Sequence, residues 1–338
     1  MLRRYVLCAG LLFQFSVSAT DSTFNAPLVE KSLLLDAASS SYQVVVGERG
    51  HVIVAENDGE FVQKQLPLAA TLTAVETVGD NIWVAGHDAT IMHSADRGTT
   101  WQVQMHEPEL ERPFLDILFF DDQHGVASGA YGLFYRTRDG GATWESEQHA
   151  SLLNPIDIEY LEEIKLEDEA FYLEELNSIL PHINRLRFAD GQLFAAGETG
   201  LLALSNDNGQ NWQRFEIDYF GSFFDIETIG DDQLLAAGLR GTLYSKVGEN
   251  DWQRIDSCTT ATLNSIVTDV DGSLLVLGNN GAIVELDKNA LANNTLSCSE
   301  GTVSFTQLTS KSAIATAIQQ GDGLVAITSD GLQPLVQE

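Results

Sequence analysis

The chain has 338 residues, 44% of them hydrophobic, which is too many for a disordered polymer and enough for a sizeable core. Its 49 acidic and 18 basic residues leave a formal charge of −31. Nucleic acid and anionic lipid headgroups repel such a body, which argues against both as partners.

At the N-terminus, Arg3 and Arg4 precede an apolar run from Tyr5 to Val17, and Val17-Ser18-Ala19 closes it with small residues. This pattern predicts a cleaved signal peptide over residues 1–19, too short for a membrane span. Cys8 lies inside the run without the small residues of a lipidation site. The mature chain, residues 20–338, is then expected in an extracytoplasmic compartment, the periplasm of a diderm bacterium, with no direct membrane insertion. Cys258 and Cys298 remain after cleavage, and an isolated pair in an oxidising compartment is expected to form a disulfide.

A repeat dominates everything that follows. Val45-Val46-Gly47-Glu48-Arg49-Gly50 is its first copy. Val84-Ala85-Gly86-His87-Asp88 leads to Ser94-Ala95-Asp96-Arg97-Gly98-Thr99-Thr100-Trp101, and Ala127-Ser128-Gly129-Ala130-Tyr131-Gly132 leads to Thr137 and then Asp139, Gly141 and Trp144. Ala195-Ala196-Gly197-Glu198-Thr199-Gly200 leads to Ser205, Asp207, Gly209 and Trp212, and Ala236-Ala237-Gly238-Leu239-Arg240-Gly241 reaches Trp252 through a degraded turn. Val276-Leu277-Gly278-Asn279-Asn280-Gly281 follows, and a half-copy runs from Ala315 to Gly331.

The first glycines, at 47, 86, 129, 197, 238 and 278, are 39, 43, 68, 41 and 40 residues apart. A unit of about 40 residues built from short apolar strands is the size of a propeller blade. The fold class predicted is all-β, a seven-bladed β-propeller forming one domain over 20–338. Strands are expected at Ile314–Ile318, Leu324–Thr328 and Leu332–Val336 in the last blade, with Phe24–Glu30 as the N-terminal strand that closes it. The long step of 68 predicts a helical insertion after the third blade, about 150–181. There, apolar residues alternate with nine acids and one Lys between Pro155 and Pro181. A second insertion, about 287–302, carries Cys298.

The turn ending in Trp reads as structural. Asp96, Asp139 and Asp207 suit acceptance of turn amides, the following glycines suit a positive φ, and Trp101, Trp144 and Trp212 suit covering a blade edge. Repetition around a ring spreads side chains apart, whereas catalysis needs them to converge.

The Gly-x-x-Gly turns and the Ser-x-Asp-x-Gly-x-Thr-Trp boxes, in register over residues 24–338, resemble the photosystem II stability and assembly factor-like propellers, a branch of the Asp-box (BNR) repeat proteins. The resemblance implies a seven-bladed ring without enzymatic activity that stabilises or assembles membrane-protein complexes. It also implies an arginine patch on one face, of which only Arg49 and Arg240 occupy matching turns. The corresponding positions hold Asp88, Tyr131, Thr199 and Asn280. Assistance to an envelope complex, such as an inner-membrane transporter, therefore suits this member better than a photosynthetic client.

Blade topology puts the Gly-x-x-Gly turns and the blade-to-blade connections on one face. Candidate partner-binding residues are Arg49, His87, Tyr131, Glu198, Arg240 and Asn280 in the turns, and Tyr160 and Phe171 in the helical insertion; Asp88, Asn279 and His51 are expected on the same face. Arg and Tyr are enriched at binding hot spots, and the acids of the insertion would suit a basic partner. The alternative is an Asp-box glycoside hydrolase or carbohydrate-binding propeller. A sialidase would need an arginine cluster and a Tyr–Glu pair; the Arg-Ile-Pro signature is absent, and few arginines are expected to face the channel. The seven histidines show no metal-ligand spacing, and neither a cofactor nor a catalytic residue is indicated.

Overall fold

The computed structural model describes residues 23–56, 59–230, 232–269, 271–293 and 295–335. The expected signal peptide, residues 1–19, lies outside them, as does Val336. Seven antiparallel sheets follow one another along the chain, six of four strands and one of three. We number them as blades: blade 1 runs from Leu34–Ser39 to Val62–Lys64, blade 2 from Leu72–Val78 to Gln102–Met105, and blade 3 from Phe114–Phe119 to Glu145–Ser146. Blade 4 runs from Ile183–Ala189 to Gln213–Arg214, blade 5 from Phe223–Ile229 to Gln253–Arg254, and blade 6 from Leu263–Thr268 to Val303–Gln307. Blade 7 holds Ile314–Gln320, Gly323–Thr328 and Gly331–Pro334.

The innermost strand of each blade packs on that of the next, and the strand of blade 7 packs on that of blade 1. Apolar side chains fill the spaces between sheets. Val44, Val46, Leu72 and Ile82, all buried, form such a layer between blades 1 and 2. Trp83 stacks on Phe119 at 3.7 Å between blades 2 and 3. The first glycine of each turn serves close packing. A Cβ on Gly47 would lie 2.2 Å from the Leu33 carbonyl oxygen, and on Gly86 2.1 Å from that of Thr71. The backbone there is extended, so proximity rather than φ demands glycine.

Hydrogen bonds stitch the inner strands in an alternating way. From blades 1, 3 and 5, the carboxylates of Asp36, Asp116 and Asp225 accept from the Val75, Leu186 and Ile266 amides of the following blade. From blades 2, 4 and 6, Thr73, Asn184 and Asn264 donate to the Phe114, Phe223 and Ile314 carbonyls, each at 2.7 Å. A bulge early in every inner strand, such as that between Leu34 and Asp36, makes both contacts possible by shifting the register there.

One expectation is corrected. Phe24–Glu30 adds no strand to blade 7, which keeps three strands among the described residues. Thr23 instead bonds to Leu66 through both main chain and hydroxyl, and Ala26 donates to Gln63, all beside blade 1. Pro27 in mid-segment has no N–H for a ladder. Beyond it the chain forms a 3₁₀ turn, Val29–Lys31, so tight against Gly331 that a Cβ there would lie 1.9 Å from the Glu30 oxygen. Side chains join the first and last sheets instead, with Val29, Leu34, Val45, Ile53, Ile318 and Ile327 in one buried cluster.

The expected insertion is two helices, α1 (Pro155–Glu167) and α2 (Glu169–Ile179). Asn154 caps α1 by accepting from the Ile156 amide, with Pro155 at the first helical position, and Asp168 caps α2. Leu153, Leu161, Leu176 and Leu180 form the hairpin's own core. The second insertion folds around α3 (Lys288–Ala292), and its Cys298 is paired with Cys258, the Cα atoms 5.5 Å apart.

Candidate functional site

Three sets of polar groups are distinct in the folded chain. In the Asp-box turns, Ser94 donates to Asp96 and accepts from the Gly98 amide at 2.8 Å, while Thr100 donates to Asp96 through both amide and hydroxyl at 2.7 Å. Asp139 and Asp207 repeat this with Thr143 and Asn211. These donors hold the Asp96 and Asp207 carboxyls down at about 2, and Asp139 below its usual value. Each carboxylate is consumed by its own turn. Trp101 donates to the Gly98 carbonyl, and Trp212 is buried.

The second set lines the central channel, a cavity of about 570 Å³ bounded by the inner strands. Two arginines of blade 4, Arg185 and Arg187, line it. Arg185 lies 3.4 Å from Asp116, 3.7 Å from Asp36 and 3.9 Å from Asp225. Arg187 reaches Glu227 at 3.0 Å and Asp225 at 3.6 Å. Asp36, Asp116 and Asp225 occupy the same place in blades 1, 3 and 5, so one guanidinium ties three blades together.

Acids outnumber cations here, and burial sets their protonation. Desolvation pushes Asp36 up and Asp116 up to about 6, despite the attraction of Arg185. Glu76 is pushed up to about 8 by burial, reinforced by the charges of Asp116 and Asp36 and opposed by the Thr77 amide and, less, by Arg187. Glu227 is likewise raised by burial, which outweighs Arg187. Burial disfavours charge on Arg185 too, but its three aspartates more than reverse this, and it stays a cation.

The third set is the Gly-x-x-Gly face. Arg49, Asp88, Tyr131, Thr199, Arg240 and Asn280 all sit at the third turn position with φ between 53° and 59°, and all are exposed. This left-handed kink swings each side chain out of the sheet and into solvent. His87 is exposed beside Asp88. His51, expected on this face, is buried instead, against Gln63 and Phe24. Burial lowers its proton affinity.

Of the candidate residues, Tyr131 and Glu198 come together through His182, which meets the Tyr131 ring edge-on at 4.5 Å and lies 3.5 Å from Glu198. Arg112 lies over the same tyrosine and donates to the Tyr131 and Asn177 carbonyls, anchoring the hairpin to this turn. Arg214 likewise bridges the Leu152 and Thr199 carbonyls. Tyr160 and Phe171 project from the hairpin, 47% and 44% exposed. Arg49 and Arg240 stand apart on blades 1 and 5.

The family described as Photosynthesis system II assembly factor YCF48 matches residues 103–283, more than half of the chain. The chain belongs to that family. The Photosystem II assembly protein Ycf48 of Thermosynechococcus vestitus is 24% identical over 247 residues, covering 66% of this chain and 71% of the relative. A Photosystem II assembly lipoprotein Ycf48 of Prochlorococcus marinus is 25% identical over 203 residues, covering 51% and 57%. A YCF48 solved bound to a D1 peptide superposes with a TM-score of 0.65 at 13% identity, over 96% of this chain and 99% of that one. YCF48 from Cyanidioschyzon merolae gives 0.62 at 16% identity, over 90% and 96%. These superpositions bear on the fold, and the propeller is shared throughout. The family match includes the Tyr131, Thr199, Arg240 and Asn280 turns and the channel arginines, but neither Arg49 nor His87.

Arg185 and Arg187 were missed because Asn184-Arg185-Leu186-Arg187 carries no repeat motif. In the ladder, Asp36, Asp116, Arg185 and Asp225 each pair with the residue before the turn glycine (Val46, Ser128, Ala196 and Ala237), but they lie 11, 13, 12 and 13 residues ahead of that glycine, so no fixed spacing marked the position. Among the described residues no group of His, Cys, Asp or Glu is arranged to hold a metal ion, and no helix is long and apolar enough to cross a membrane.

Proposed function

We propose that this chain is a non-catalytic, exported propeller that binds a membrane-protein complex of the cell envelope through its Gly-x-x-Gly face and assists its assembly, stability or activity. One observation carries the reading: turns in six blades hold their third residue in the same left-handed kink, aiming unlike side chains, among them Arg49, Tyr131 and Arg240, into solvent on one face. A fold feature alone would not require exposed Arg or Tyr there. Family membership supports an assembly role, and the Cys258–Cys298 pair suits an oxidising compartment such as the periplasm. An inner-membrane transporter is the kind of client proposed.

The test is affinity capture from detergent-solubilised envelopes. The wild-type chain is expected to retain a defined membrane protein that Arg49→Glu with Arg240→Glu loses, while the melting temperature stays put. Equal recovery by the double variant would overturn the reading. A second reading, glycan hydrolysis, draws only on the carboxylates that converge in the channel. Asp36, Asp116 and Asp225 are engaged by amides and Arg185, Glu227 faces Arg187, and no tyrosine lines the cavity among the described residues. This leaves Glu76 without the partner a two-carboxylate mechanism needs. Turnover of a glycan library that Glu76→Gln abolishes would favour hydrolysis.

A further inference from the structure

The helical hairpin carries more charge and more apolar surface than its packing uses. Its nine carboxylates and one ammonium lie between Pro155 and Pro181, and among the described residues none of those carboxylates forms an ion pair. The single cation, Lys165, sits over the Tyr172 ring at 5.0 Å. Asp168 caps α2, Glu175 accepts from Tyr160, and Asp157 favours the charge of Arg214. Yet Ile156 is 73% exposed and Leu166 89%, with Tyr160, Phe171 and Leu173 all more than 40% exposed.

Three of these, Ile156, Tyr160 and Phe171, fall on one side of the hairpin, whereas Leu166 and Leu173 lie off it. Ile156 and Tyr160 are four apart on α1, and Phe171 and Glu175 four apart on α2, so each pair shares a helix face. The Tyr160 hydroxyl donates to Glu175 at 3.4 Å, which sets the two faces side by side. Continuing the α1 stripe by one turn reaches Glu163. The outer side of the hairpin thus presents an apolar strip flanked by carboxylates, with no third element upon it among the described residues.

We propose that this side of the hairpin is the docking site for a cationic amphipathic helix of a partner protein. Such a helix would complete a three-helix bundle, burying leucine-like side chains on Ile156, Tyr160 and Phe171 and setting Lys or Arg against Glu163 and Glu175. Charge selects this occupant. A second copy of the chain brings another excess of acid, and an anionic bilayer repels the hairpin, whereas a basic segment gains from every unpaired carboxylate. The inference rests on the reading of the chain as a partner-binding module, but it concerns a surface separate from the Arg49 and Arg240 turns.

The test uses the full mature chain and a fluorescein-labelled 18-residue helix of Leu and Lys at helical spacing, with a Leu–Glu helix as control, read by anisotropy at physiological salt. The Lys helix is expected to bind and the Glu helix not. Ile156→Ser with Tyr160→Ser and Phe171→Ser, which leaves the charge unaltered, is expected to weaken binding at least tenfold. Glu163→Gln with Glu175→Gln is expected to weaken it severalfold and flatten its salt dependence. Equal binding by the serine variant, at an unchanged melting temperature, would assign the attraction to bulk charge and overturn the proposal. So would a wild-type dimer in sedimentation that the serine variant dissociates, or uptake of the wild-type chain onto vesicles of anionic lipid. Helical content by circular dichroism checks that the variants fold. Because the assay needs no native client, its failure removes the hairpin site alone, and envelope capture still judges the turn face.

Discussion

Aspartate appears in two settings in this propeller, and the two behave oppositely. In the Asp-box turns, Asp96, Asp139 and Asp207 lie at the surface, and donors from their own turn drive proton affinity down. On the inner strands, Asp36 and Asp116 are buried, and desolvation drives it up even beside Arg185. The chemistry of the side chain is the same; what differs is whether its donors arrive with water or without it. The first setting is local, closed within eight residues, whereas the second is a contract among blades 1, 3, 4 and 5.

The largest expected effect breaks the inner setting. Arg185→Met removes the cation shared by three buried carboxylates and is expected to cost about 3–5 kcal/mol in denaturant unfolding. A loss below about 1 kcal/mol would mean that the channel is wet enough to screen the charges. Glu76→Gln sharpens the same side. The folded carboxyl keeps its proton up to about 8 while the unfolded one releases it near 4.5, so wild-type stability falls as pH rises through that window. The Gln variant is expected to escape this fall and be about 2 kcal/mol more stable than wild type at pH 8.5, channel water screening roughly half of the full shift. Near pH 4 the two are expected to coincide. A wild-type stability flat from pH 5 to 8 would refute the buried carboxyl.

The surface setting should yield least. Ser205→Ala removes a buried hydroxyl that accepts from Gly209 and donates to Asp207, and is expected to cost about 1 kcal/mol. Asp96 has its carboxyl lowered from 3.8 to about 2, so its stabilisation is whole above pH 4 and lost as pH falls to 2. Asp96→Asn is expected to make unfolding less steep in that acid window alone. Both are checked by melting curves across pH.

The contrast also marks what could be read beforehand. The Asp boxes were legible because their donors lie within the motif: Ser94, Gly98 and Thr100 all fall within four residues of Asp96 or closer. The Gly-x-x-Gly turns were legible for the same reason, and their exposed third residues followed. His51 was misplaced because its burial depends on Phe24 and Gln63, one from another part of the chain. Closure by an N-terminal strand failed where Thr23 found Leu66, a competition among partners far apart in sequence, although Pro27 already spoke against a ladder.

Periodicity in the chain alone determined the blade, its length and the number of repeats, since each rests on hydrogen bonds and apolar contacts spanning a few tens of residues. Only the folded ring decided which inner-strand residues meet. Arg185 touches Asp36, Asp116 and Asp225 because curvature brings non-adjacent blades to one axis, and no sequence spacing encodes convergence on an axis.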